Sequence, residues 1–160
     1  MASKLLSDTT LAPASIYFKF YLHQALTKAG YGNDYLKWLD KWRENMQMGL
    51  TTWAETSELN DTRSDCHAWG ASPNIEFFRI ILGIDSDAAG FSKIKIEPHL
   101  GNITEISGEI PHPSGKIQVF YEVRGERLKA EFFLPENISG TFIWNKKSYP
   151  LSGGKNILEI

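Results

Sequence analysis

At 160 residues, 42% of them hydrophobic, the chain is long enough for one ordinary domain or two small ones and can bury a real core. Its 17 basic and 19 acidic residues give a formal charge of -2 and are scattered along the chain, which leaves no electrostatic footprint for nucleic acid. The single cysteine, Cys66, excludes an intramolecular disulfide and reads as a small buried residue; no Cys/His spacing resembles a zinc site, so neither a metal nor a cofactor is expected.

The stretch Met1 to Leu6 is too short an apolar run for a secretory signal, and no span approaches transmembrane length, so no membrane partner is expected. If the chain is a piece of a longer protein, this leaves its location open, the periplasm and the cell exterior included. The pattern predicts a helix from Pro13 to about Ala29, with Pro13 in the first turn and Gly30 and Gly32 at the end. Ile16, Tyr17, Phe18, Phe20, Tyr21, Leu22, Ala25 and Leu26 leave it almost no polar face, so it wants cover on most sides. His23 on this helix reads as a packed histidine rather than a ligand. A second helix, capped by Asn33 or Asp34 and ended by Gly49, carries Tyr35, Trp38, Leu39, Trp42 and Met46 as one apolar stripe opposite charged residues. Such a stripe reads as core packing.

Between Gly49 and Pro73 the spacing predicts a long loop at one rim of a helical bundle. It holds Trp53, Trp69, His67, Arg63 and the acids Glu55, Glu58, Asp61 and Asp65. Loops of this length inside a compact domain are functional or disordered, and the aromatics argue against disorder. The chemistry such a set serves is narrow. Flat aromatic faces pack on sugar C–H groups, while carboxylates and imidazoles satisfy hydroxyls. Glycoside hydrolysis then needs a pair of carboxyls, and Glu55, after Thr51, Thr52 and Trp53, fits one member of such a pair. The plainer reading is a solvated loop acid, and Glu58 is a rival for the same role.

Ser72 and Pro73 predict the start of a third, short, apolar helix, with Ser72 as its cap, Glu76 near the positive end of its dipole and Gly83 at its close. Past Ile84 the period changes. After a turn at 85–90, strands are expected near 91–97, 103–110, 115–124, 127–134, 140–145 and 155–160, with turns at 111–115, 125–126 and 152–154. Six or more antiparallel strands without helices between them suggest a sandwich. Tyr121, Trp144 and Tyr149 could form a sugar-binding face on it, although alternation makes most of them core residues. His99 and His112, each beside a proline, fall in turns.

The runs Thr51-Thr52-Trp53-Ala54-Glu55 and Thr62-Arg63-Ser64-Asp65-Cys66-His67-Ala68-Trp69-Gly70-Ala71-Ser72-Pro73 resemble the last catalytic loop of bacterial α-L-rhamnosidases, glycoside hydrolase family 78. The helix and β-rich region that follow extend the resemblance over nearly the whole chain. It implies an α+β multidomain fragment: residues 1–84 as the last helices and catalytic loop of a six-hairpin (α/α)6 barrel, incomplete here, and residues 85–160 as a C-terminal antiparallel β-sandwich. It also implies that Glu55 is the general base of an inverting hydrolysis of terminal α-L-rhamnosides, with Trp53, His67 and Trp69 binding the sugar. Three helices fall far short of a closed barrel. The acid partner is therefore expected outside this chain, and the isolated chain is expected to be inactive and to self-associate. Rhamnose-containing glycans or glycosides and the N-terminal part of the same enzyme are the partners expected. A non-catalytic carbohydrate-binding module, or part of another helical-barrel glycosidase or phosphorylase, remains the alternative.

Overall fold

A computed structural model of the chain describes residues 4–5, 8–57 and 64–160. Glu58, Asp61 and Arg63, three of the charged loop candidates, lie outside the described residues. The chain packs as two compact units, Met1–Glu76 and Phe77–Ile160.

In the first unit the helix expected from Pro13 starts three residues later, at Ile16. Ser15, not Pro13, precedes it, and the Ser15 Oγ accepts from the Phe18 N–H at 3.4 Å, so that α1 spans Ile16–Leu26. Ile16, His23 and Leu26 are its buried positions, whereas Tyr17, Phe18 and Tyr21 are exposed. A π-helical turn, Thr27–Tyr31, then passes Gly30 at φ 91° and leads into a 3-10 segment, Gly32–Leu39, continued by α2, Asp40–Gln47. Tyr35, Leu39, Trp42 and Asn45 point inward along this run. Met46, expected on the buried stripe, is 74% exposed. Winding changes from three residues per turn to 3.6 at Asp40, and the inward position three after Trp42 is therefore Asn45 rather than the one four after. The helix closes through paired bonds, Leu50 N–H to Asn45 O and Gly49 N–H to Met46 O, both 3.0 Å, with Gly49 at a positive φ that only glycine adopts freely.

A 3-10 turn, Ala68–Ala71, runs straight into α3, Ser72–Glu76, and on into a π-helical turn, Phe77–Ile81. Ser72 therefore sits inside a helical run instead of capping it. Cys66, expected to be buried, is exposed, because it lies on the outer side of a loop that turns Trp53, Ala54 and Glu55 inward.

The second unit is two four-stranded sheets packed as a sandwich. Its strands are β1 (Ile84–Ser86), β2 (Lys93–Ile96), β3 (Glu105–His112), β4 (Gly115–Arg124), β5 (Arg127–Leu134), β6 (Ser139–Trp144), β7 (Lys147–Leu151) and β8 (Gly154–Glu159). One sheet has the order β1-β2-β6-β7 and the other β3-β4-β5-β8. Every pairing is antiparallel except β2 with β6, which meet after the chain has crossed through the opposite sheet and so run the same way. Alternation places Ile117, Val119 and Tyr121 of β4 and Leu128, Ala130 and Phe132 of β5 on the inner face, opposite Ile94, Ile96 and Phe142. Phe142 is the hub, stacked on Tyr121 at 6.2 Å between centroids and against Phe132 at 4.9 Å.

Two strands were not expected. β1 occupies part of the stretch read as a turn, and three residues are too few to show a period. β7 contains Pro150, which is tolerated because β7 is an edge strand. A two-residue turn, Asn145 and Lys146, both at positive φ, joins it to β6. β3 also runs on through Pro111 to His112, narrowing the expected turn to Pro113 and Ser114. His112 is buried there: its Nε2 donates to Phe91 O at 3.0 Å and its Nδ1 accepts from the Ser114 N–H at 3.0 Å. Tyr121 is fully buried, with its hydroxyl donating to Leu82 O at 2.9 Å, so it cannot belong to a binding face. Among the described residues no helix is long and apolar enough to cross a membrane.

Candidate active site

The loop between α2 and α3 folds back on itself as a short two-stranded ladder. Glu55 N–H donates to Ser64 O at 2.8 Å and His67 N–H donates to Trp53 O at 2.7 Å, while the Thr52 hydroxyl donates to Asp65 O. The indole of Trp69 then reaches across, its Nε1–H donating to Glu55 O at 2.7 Å. Glu55 is thus tied by its amide to one strand of the loop and by its carbonyl to Trp69. Its side chain is only 4% exposed. His67 Nδ1 lies 4.0 Å from Glu55 Oε2, a distance of electrostatic contact that is too long for a hydrogen bond. The His67 ring lies 4.0 Å from the Trp69 ring, centroid to centroid, at 43°.

Sequence and structure therefore bring Glu55, His67 and Trp69 together. Trp53 joins them through its backbone and is half-buried. Trp69 is 42% exposed and meets Tyr17 of α1 edge-on at 5.7 Å. Beside it runs a groove of about 310 Å³, lined on one side by Tyr17, Phe20 and Tyr21 and on the other by Trp69, Ala71 and Ile75.

Two features beneath the loop hold it in place. Trp42 of α2 donates from Nε1 to Gly70 O at 2.6 Å. Gly70 presses against the Glu55 strand so closely that a Cβ there would lie 2.7 Å from Ala54 O and 3.0 Å from Trp53 Cβ. Next along the chain, the Ser72 hydroxyl donates to Glu76 Oε2 at 3.2 Å, and Tyr35 donates to the same oxygen at 3.2 Å. His23 Nδ1 completes the set, 3.1 and 3.2 Å from the two carboxylate oxygens. His23 and Glu76 are each 1% exposed. Burial, reinforced by the Glu76 charge and hydrogen bond, drives the Tyr35 hydroxyl far above its ordinary pKa, so it acts only as a donor.

This second layer was missed in the sequence. The sequence alone places Glu76 as a dipole-facing acid near a helix start; in the structure it is a buried acceptor for three side chains. An acid in an otherwise apolar helix, four residues after a serine and matched by a lone histidine on another apolar helix, was the available signal. Among the described residues no group of three or more His, Cys, Asp or Glu side chains could hold a metal ion.

Residues 83–157 match the family described as bacterial alpha-L-rhamnosidase C-terminal domain. Among solved structures, the chain is similar to the family 78 rhamnosidase of Bacillus sp. GL1, with 27% identity and a TM-score of 0.82 over 90% of this chain and 17% of that one. The alpha-L-rhamnosidase of Dictyoglumus thermophilum matches at 20% identity and a TM-score of 0.78, over 90% of this chain and 20% of that one. That of Streptomyces avermitilis, complexed with L-rhamnose, matches at 15% identity and a TM-score of 0.77, over 88% of this chain and 17% of that one. The last two show a shared fold. The chain spans a fifth or less of the length of these three enzymes. A search of curated proteins finds no match.

Proposed function

Because this chain corresponds to the C-terminal region of the α-L-rhamnosidases of glycoside hydrolase family 78, we propose that it supplies the general base of an inverting rhamnosidase whose remaining catalytic groups lie outside these 160 residues. Residues 1–84 are the closing helices and last catalytic loop of the (α/α)6 barrel, and residues 85–160 are the sandwich that follows it. The complete enzyme hydrolyses terminal α-L-rhamnosides.

Glu55 takes a proton from a water as that water attacks the anomeric carbon. The bond to the leaving oxygen breaks, and this oxygen takes its proton from an acid on another part of the barrel. Inversion requires the two carboxyls to stand roughly 6.5–9.5 Å apart, leaving room for the water. His67 meets sugar hydroxyls, and Trp69, with Trp53, packs on the C–H face. The observation that carries this reading is a buried Glu55, its side chain 4% exposed and both of its backbone polar groups held, with the His67 imidazole 4.0 Å from its carboxylate. A base works when its geometry is set before the reaction starts.

The test is Glu55→Gln in the complete enzyme. Turnover of a chromogenic α-L-rhamnoside should fall by about 10²–10⁴ while rhamnose binding is kept; ordinary turnover would reject the role. The isolated chain should be inactive on the same substrate. It should also self-associate through the exposed aromatics of α1, Tyr17, Phe18 and Tyr21, because contiguous apolar surface of this kind finds a partner. Sedimentation at micromolar concentration checks this, and a strictly monomeric species would contradict it.

A further inference from the structure

The sheet β3-β4-β5-β8 turns one face to the sandwich core and the other outward. Alternation should make the outer face polar, and it does so at Glu109, Gln118, Glu131 and Lys155. Three outward positions break the rule: Phe120, half-buried, and Phe133 and Ile157, 46% and 52% exposed. These exceptions are not scattered. The strand register sets Ser107, Phe120, Glu131 and Ile157 in one row across the sheet and Glu109, Gln118, Phe133 and Lys155 in the next.

Neighbouring strands lie about 4.8 Å apart and successive outward residues on a strand about 6.7 Å apart, so the two rows make a patch about 14 Å by 7 Å. A cleft of about 490 Å³ lies over it, lined by both phenylalanines, Glu109, Gln118, Glu131 and Lys155. Lys129, with its ammonium 5.9 Å over the Phe120 ring, bounds one end.

The charges here are internally matched. Glu109 accepts from Lys116 at 2.6 Å and Gln118 at 2.9 Å, and Glu131 accepts from Lys129 at 2.8 Å and Lys155 at 3.2 Å. A charged ligand would have to break these pairs to gain anything. A neutral ligand meets a fixed array of carboxylate acceptors and ammonium and amide donors interleaved with two aromatic rings. That combination fits a molecule with an apolar C–H face and a rim of hydroxyls.

We propose that the outer face of β3-β4-β5-β8 is a binding site for a neutral pyranoside, one or two sugar rings long. Phe120 and Phe133 pack on the ring faces, and the Glu109–Gln118 and Glu131–Lys155 pairs bond the hydroxyls. The site is separate from Glu55 and does not depend on its role; it holds glycan without acting on it.

Nuclear magnetic resonance of the chain itself tests this, with methyl α-L-rhamnopyranoside, methyl α-D-mannopyranoside and cellobiose titrated singly, and with glycerol and D-glucuronate as controls. At least one of the three neutral sugars should shift the amides of residues 118–120, 131–133 and 155–157 saturably, with a Kd on the order of millimolar. Glycerol, which has hydroxyls without a ring face, should not, and D-glucuronate should bind at least roughly tenfold more weakly. Phe133→Ala and Phe120→Ala, both at the surface, should abolish the shifts while the remaining amides stay in place. If either variant loses its fold, Lys155→Met, which breaks a pair without touching a ring, should weaken binding roughly tenfold. Absence of shifts with all three sugars up to about 100 mM, shifts confined to residues 53–69, or glucuronate binding as tightly as the neutral sugars would each overturn the assignment. Failure of Glu55→Gln to lower turnover would leave these outcomes untouched.

Discussion

Glu76 is the buried acceptor on which three elements converge, and replacing it by leucine should cost more than any surface change in the helical unit. The substitution keeps roughly the volume but removes both oxygens. His23 then loses the acceptor of its Nδ1, while its Nε2 has no partner among the described residues in the native state. The Ser72 and Tyr35 hydroxyls lose the same acceptor. A buried polar group deprived of its partner costs about 1–3 kcal/mol. With three such groups losing one acceptor, and His23, Tyr35 and Glu76 each 1% exposed, a loss of about 3–5 kcal/mol is expected. Domain stabilities run to only about 5–15 kcal/mol, so this is a large share. Urea unfolding followed by tryptophan fluorescence reads it selectively, because Trp38, Trp42, Trp53 and Trp69 lie in the first unit and only Trp144 in the second. Adding His23→Leu to Glu76→Leu should cost little more, since the two share one contact. A loss under about 1 kcal/mol, or strict additivity of the two changes, would refute the reasoning.

Gly70→Ala should destabilise the same unit by about 1–3 kcal/mol and shift Trp69 fluorescence, because the added methyl meets the immobile carbonyl of Ala54; an unchanged urea midpoint would remove that contact from the account. In the sandwich, burial lowers the proton affinity of His99, against a smaller opposing pull from Glu97. The unfolded chain therefore binds a proton near pH 6.5, where the folded chain does not. Stability present above that value should decline as pH falls through it toward the lowered folded pKa. Urea midpoints read from the amides of β4 and β5 at about pH 7.5 and about pH 5.5 should differ more in the native chain than in His99→Gln, and equal differences would contradict this.

Much of this was legible in the residues. The change of period after Ile84 announced the sandwich, because strands with one buried face alternate and helices do not. The loop with Glu55, His67 and Trp69 stood out because aromatics and acids do not accumulate between helices without a use. Other features were hidden for physical reasons. Periodicity cannot tell which of two adjacent residues faces inward once winding changes within a helix, and so Met46 was expected where Asn45 sits. Cys66 looked buried by type, but its place on the outer turn of a ladder is set by backbone bonds from Glu55 and His67 that no local pattern encodes. The three exceptions on the outer sheet face form a patch only through register, which is a property of four strands together. Glu76, likewise, acquires its partners from α1, the 3-10 segment and its own helix, which meet only in the folded unit.

The central claim concerns Glu55, and the most direct measurement is a crystal structure of the complete enzyme with L-rhamnose bound. A water should stand about 2.6–3.2 Å from the Glu55 carboxylate, facing the anomeric carbon, with His67 on a hydroxyl and Trp69 against the ring. A sugar seated in the barrel with its anomeric carbon turned toward another carboxylate, and with Glu55 beyond the reach of one water, would contradict the account.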